Sequence, residues 1–232
     1  MLLALGAGCS SSSVLPTTTA PADVMLIGDS LAEETAPYLA LLLPGRHLVA
    51  AYFGGTAPCD WLTQHKPIAA GSTVVISFTG NSLTPCMADG AGAHLAGRAI
   101  ADRYRTDVTT LIAQAVAARA HVLLVGQPVH IDVPGGNDVV RALNAMYATM
   151  ATRPDVKYVN AGAAVEHADG SFAHTLPCLV GESECGRSGS NVVRNDDGLH
   201  FCPGGPAHGA CSGYASGAFR FASAIVNAID GV

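Results

Sequence analysis

From residue 23 onward, compact apolar runs alternate with longer stretches in which apolar residues return every three to five positions. The runs are Val24–Ile27, His47–Tyr52, Thr73–Phe78, His121–Val125 and Val156–Val159, and a glycine follows each within three residues. Short β-branched or aliphatic runs stopped by glycine predict strands. Between them, Glu33–Leu43, residues 92–119, Asn137–Ala151 and Tyr214–Ile229 read as helices. In the second of these, Leu95, Ile100, Tyr104, Val108, Leu111, Ile112 and Ala115 form one apolar face; in the third, Val139, Leu143, Met146 and Met150 do. Strands that are apolar throughout are buried on both faces. The order therefore predicts an α/β three-layer sandwich around a five-stranded parallel, flavodoxin-like sheet. Residues 161–210 are rich in Gly, Cys and polar groups and read as loop.

Composition narrows the function classes. Apolar residues make up 49% of the 232 and charged residues 13%, against roughly 25% charged in an average soluble protein. That length fits one domain with a substantial core, residues 23–232, after an N-terminal segment of residues 1–22. The net charge is −6 and no basic run interrupts it, which argues against a nucleic-acid partner. No apolar run approaches the roughly 18 residues of a membrane-spanning helix. Met1–Gly8 is mostly apolar and precedes Cys9, so this stretch resembles the tail of a bacterial lipoprotein signal, with Cys9 as the lipid attachment site. The alternative is an ordinary exported or cytoplasmic N-terminus. Residues 10–22 are Ser-, Thr- and Pro-rich and read as a flexible tether.

Apart from Cys9 there are six cysteines: Cys59, Cys86, Cys178, Cys185, Cys202 and Cys211. An even number points to disulfides and an oxidising compartment, so the expected location is exported or cell-envelope associated, with the cytoplasm as the alternative. Short loops favour Cys178 with Cys185 and Cys202 with Cys211, which leaves Cys59 for Cys86. Free buried thiols are the competing reading. The spacings do not suit zinc, and no metal or other cofactor is expected. His47, His65, His94, His121, His130, His167, His174 and His208 show no paired ligand spacing either; His130, just past the fourth strand, is placed to line a pocket.

In open parallel sheets the site lies beyond the carboxyl ends of the strands. Gly28-Asp29-Ser30 follows the first strand, where a Ser at a helix start meets unpaired N–H groups and a field that favours negative charge. Gly54-Gly55-Thr56 follows the second, where a glycine N–H can approach a ligand closely. Gly80-Asn81-Ser82 follows the third, offering a neutral amide donor for an oxyanion. Asp197-Gly198-Leu199-His200 places a carboxylate where it can orient an imidazole, leaving Nε2 to take a proton from a Ser. Together these supply a nucleophile (Ser30), a base (His200), an orienting acid (Asp197) and oxyanion donors (Ser30 N–H, Gly54 or Gly55 N–H, and the Asn81 side chain).

Read as GDSL at 28–31, GGT at 54–56, GN at 80–81 and DGLH at 197–200, the chain resembles the SGNH, or GDSL, hydrolases over roughly residues 23–230. The resemblance implies the same nucleophile, acid, base and oxyanion residues. It departs from the family in the third block, usually G-x-N-D, where Thr79 precedes Gly80-Asn81 and Ser82 follows. Residues 54–61 (GGTAPCDW) are similar to exported actinobacterial members. The expected function is serine-dependent hydrolysis of a small-molecule acyl ester, lipid or acylated carbohydrate. Acyl transfer to a sugar hydroxyl is the alternative, with Asn191, Arg194 and Asn195 as polar groups that could hold the acceptor. A non-catalytic envelope binding protein is the second alternative. Phe53 and Trp61, beside the second block, could contact an acyl chain, with packing in the core as the favoured reading.

Overall fold

The computed structural model describes residues 22–64, 66–131, 135–204 and 210–231. Cys9, the tether up to residue 21, His65 and His208 lie outside the described residues. The chain runs β1 (Val24–Gly28), α1 (Ser30–Leu42), β2 (Leu48–Tyr52), α2 (Pro58–Trp61), β3 (Thr73–Ser77), α3 (Arg98–Ala117), β4 (His121–Val125), α4 (Gly136–Met150), β5 (Val156–Val159), β6 (Thr175–Pro177), β7 (Ser190–Val192) and α5 (Ser216–Ile229). Strands β1–β5 form one parallel sheet in the order β2-β1-β3-β4-β5, the expected three-layer fold.

Pleating divides the strand side chains between two cores. Met25, Ile27, Val74, Ile76, Val122 and Leu124 face the layer built on Tyr104, Leu111, Leu143 and Met146 of α3 and α4. Val24, Leu26, Val75, Leu123 and Val125 face Leu31, Leu39, Phe221 and Ile225 of α1 and α5. The order of strands reverses between β1 and β3, and a crevice for ligand opens at such a switch point. Gly28 ends β1 there. A Cβ on it would lie 2.4 Å from the Ser77 carbonyl oxygen and 2.3 Å from Ala32 Cβ, so only glycine lets α1 start so close to the sheet.

Three predicted elements differ in detail. Helix α1 starts at Ser30 because Asp29 caps it, accepting from Leu31 N–H (3.3 Å). Helix α3 starts at Arg98, because the backbone before it pairs with residues 87–89 (Leu95 N–H to Met87 O, 2.9 Å) and Gly97 turns at positive φ. Residues 161–210 are not all loop, since β6 and β7 pair antiparallel. The hairpin tip is docked by Glu182, whose carboxylate accepts from Arg220 Nε (2.9 Å), Asn191 Nδ2 (3.0 Å) and Leu179 N–H (2.8 Å). Asn191 therefore serves the hairpin rather than a sugar. Arg194 is likewise unsuited to hold an acceptor, being fully buried.

All three disulfides occur with the expected pairing: Cys59–Cys86, Cys178–Cys185 and Cys202–Cys211. Among the described residues one metal-like cluster forms, Cys59, Asp60 and Cys86, but its two cysteines are bonded to each other and offer no thiolate. Among the described residues no helix is long and apolar enough to cross a membrane.

Candidate active site

Ser30 is the first residue of α1 and is partly exposed at the sheet's carboxyl edge. His200 Nε2 lies 3.0 Å from its Oγ, and His200 Nδ1 lies 2.7 Å from Asp197 Oδ2. The other Asp197 oxygen accepts the N–H groups of Leu199 (2.8 Å) and His200 (2.9 Å). Burial works to raise the Asp197 carboxyl, but these donors together with the imidazole outweigh it and hold it below the usual range. The turn is tight because Gly198 takes positive φ, with Asn195 N–H bonded to His200 O at 2.7 Å. A Cβ on Gly198 would collide with Ile131 at 2.2 Å.

Asn81 is held beside this group by Asp29, a residue that sequence reasoning passed over. Asp29 is fully buried. Its Oδ2 accepts from Thr79 N–H (2.6 Å), Thr79 Oγ1 (2.7 Å) and Asn81 Nδ2 (2.9 Å). Tyr104 donates to the Asn81 carbonyl at 3.0 Å. The third-block departure thus has a use: Thr79 supplies two of the donors that satisfy Asp29. An acid directly before the nucleophile, at the end of an apolar strand, was the available signal.

The two glycines separate. The Gly54 N–H donates to Glu33 Oε2 at 2.8 Å and so is already committed. No protein acceptor takes the Gly55 N–H among the described residues. Of the two glycines expected to offer a backbone donor, Gly55 is therefore the one whose N–H is uncommitted among the described residues. Trp61 is core, with Nε1 bonded to Thr56 Oγ1 (3.2 Å), while Phe53 is exposed. Asp196 is exposed and meets His174 at 3.1 Å.

Behind the His200 turn lies a second buried group. Arg194 stacks its guanidinium over Phe201 (5.2 Å to the centroid) and Phe172 (6.0 Å). Burial brings it down to about 10, against the pull of Glu166, Asp197 and Glu34. His130 is pushed down to about 4 by burial and then by Arg194 and His200, so it stays neutral beside the site at ordinary pH.

Burial raises Asp29 to about 6, against the lowering effect of its Thr79 and Leu31 donors and of His200. A raised folded value means the stability from this group is fully present below the unfolded value of 3.8 and is lost as pH rises through about 6. Ionised Asp29 therefore costs the fold about 3 kcal/mol. Asp29→Asn cannot ionise, so its urea-unfolding free energy should gain about 2.5 kcal/mol on the wild type between pH 4 and pH 7. A difference that stays flat across that range would show that folding does not raise the Asp29 carboxyl.

Comparison with solved structures places the fold. The chain resembles a member of the lipolytic G-D-S-L family from Veillonella parvula (TM-score 0.59, 10% identity, 91% of this chain and 100% of that one). It resembles an acetylxylan esterase from Geobacillus stearothermophilus, solved as a catalytic mutant (0.57, 12%, 91% and 96%). It also resembles the C-terminal catalytic domain of peptidoglycan O-acetyltransferase A from Streptococcus pneumoniae, which carries a methylsulfonyl adduct (0.54, 17%, 92% and 95%). The fold is that of the SGNH (GDSL) hydrolases. No curated protein sequence matches the chain. Residues 23–210 match the family described as "Protein of unknown function (DUF459)", and the chain belongs to that family.

Proposed function

We propose that the chain is a serine-dependent acyl-ester hydrolase working through a covalent acyl-enzyme. The observation that carries this reading is the unbroken relay from Ser30 Oγ through His200 to Asp197, with contacts of 3.0 and 2.7 Å. Ser30 Oγ attacks the ester carbonyl carbon while its proton passes to His200 Nε2. The carbonyl π electrons become an oxyanion, which the N–H groups of Ser30 and Gly55 and the Asn81 amide stabilise. The intermediate collapses as the imidazolium protonates the leaving alkoxide. His200 then deprotonates water, which attacks the acyl carbon; the second tetrahedral intermediate collapses as the imidazolium returns that proton to Ser30 Oγ, breaking the acyl–Oγ bond and releasing the acid. Asp197 holds the Nδ1 proton and the developing positive charge throughout.

Acyl transfer to a sugar hydroxyl is the second reading, because His200 would deprotonate such a hydroxyl as readily as water. A peptidoglycan O-acetyltransferase and an acetylxylan esterase are both built on this fold. Three disulfides support an exported protein with the catalytic domain at residues 23–232. Cys9 and the tether would then anchor it at the envelope. Incubation with 4-nitrophenyl acetate and graded oligosaccharide acceptors tests the choice. Hydrolysis predicts free acetate as the main product at millimolar acceptor; acetylated sugar in excess of acetate would reverse the order. No Ser30-dependent turnover of acetyl or octanoyl esters, with or without acceptor, would leave the binding-protein alternative.

A further inference from the structure

Helix α1 carries two consecutive glutamates, Glu33 and Glu34, both buried at 7% and 0% exposure. Burying a carboxylate is expensive unless it is hydrogen-bonded, and each is bonded to the backbone of a different site loop. Glu33 Oε2 accepts the Gly54 N–H at 2.8 Å. Glu34 Oε2 accepts the N–H groups of Phe201 (2.7 Å) and Cys202 (3.3 Å). Helix geometry explains the division. With 3.6 residues per turn, positions three and four beyond Ser30 lie one turn below it, to either side, and their side chains lean back toward the N-terminus. One glutamate therefore reaches the loop after β2 and the other reaches the chain after His200, 167 residues away from it.

We propose that Glu33 and Glu34 are positioning residues that fix, relative to Ser30, the loop offering the Gly55 N–H and the turn presenting His200. The loops are tied to the helix that bears the nucleophile, so all three reacting groups share one rigid reference. Each link uses a single accepting oxygen, and Glu34 Oε1 has no partner among the described residues. Reach and one accepting oxygen are what the links require, rather than negative charge. This inference rests on Ser30 and His200 being the reacting pair.

The test compares Glu33→Gln and Glu34→Gln with Glu33→Asp and Glu34→Asp. Glutamine keeps the length and one accepting oxygen; aspartate keeps the charge but withdraws the oxygen by about 1.5 Å. Misplacement of that order costs on the order of tenfold or more in rate. The readouts are kcat and KM for 4-nitrophenyl acetate, the rate at which a fluorophosphonate labels Ser30, and near-ultraviolet circular dichroism for the fold. The Gln variants should stay within about threefold of wild type, while folded Asp variants lose about tenfold in kcat and labelling rate at unchanged KM. The reverse order, Asp faster than Gln, would show that charge and not reach matters and would overturn the proposal. So would four folded variants all within threefold. If an Asp variant does not fold, its Gln partner decides alone, since a tenfold loss there is also fatal. A wild type that the phosphonate never labels would instead sink the reading of Ser30 as nucleophile.

Discussion

Ser30→Ala should abolish ester turnover, lowering kcat by about 10^4-fold or more while leaving the fold intact. That loss is about 5.5 kcal/mol of transition-state stabilisation. The fold should survive because Ser30 is partly exposed and the helix cap belongs to Asp29. His200→Ala should cost about as much, because nucleophile and base act as a unit; Asp197→Ala should cost less, since it orients rather than transfers the proton. Initial rates on an activated ester, with circular dichroism as the control, decide the matter. A folded Ser30→Ala enzyme that still turns over the ester at a tenth of the wild-type rate would remove Ser30 from the mechanism.

Asn81→Ala should lower kcat by about 10^2–10^3-fold and change KM little, as for the loss of one oxyanion donor. The amide is preset rather than recruited. Asp29 accepts from its Nδ2 and Tyr104 binds its carbonyl, so no reorganisation is needed when charge develops. The Tyr104 bond is to backbone and survives the substitution, which isolates the side-chain effect. Steady-state kinetics distinguishes the outcomes: a rise in KM at constant kcat would place Asn81 in ground-state binding instead.

The scaffold was legible because its central strands β1, β3 and β4 are apolar and almost wholly buried, the pattern of a covered parallel sheet. Ser30, Asn81, Asp197 and His200 were legible because strand ends and short spacings bring them together. The supporting shell was less so. The linear chain does not show what Asp29, Glu33 and Glu34 hold; only the return of residues 54, 79 and 201 does. The choice between Gly54 and Gly55 turned on one such long-range bond. The late start of α3 was hidden because Leu95 fits the helical stripe while its N–H is spent on Met87. Arg194 read as a group that could hold a sugar acceptor because nothing local marks Phe172 and Phe201 as its two walls.

The three disulfides join consecutive cysteines, 27, 7 and 9 residues apart, and no bridge encloses another. Every incorrect pairing among these six would have to close at least one longer loop, and longer loops cost more entropy. For a chain delivered from its N-terminus, the next of these cysteines to appear is always the right partner of one left waiting. Oxidative maturation of the domain can therefore proceed in order of synthesis, with little demand for a catalyst that breaks and reshuffles wrong bonds.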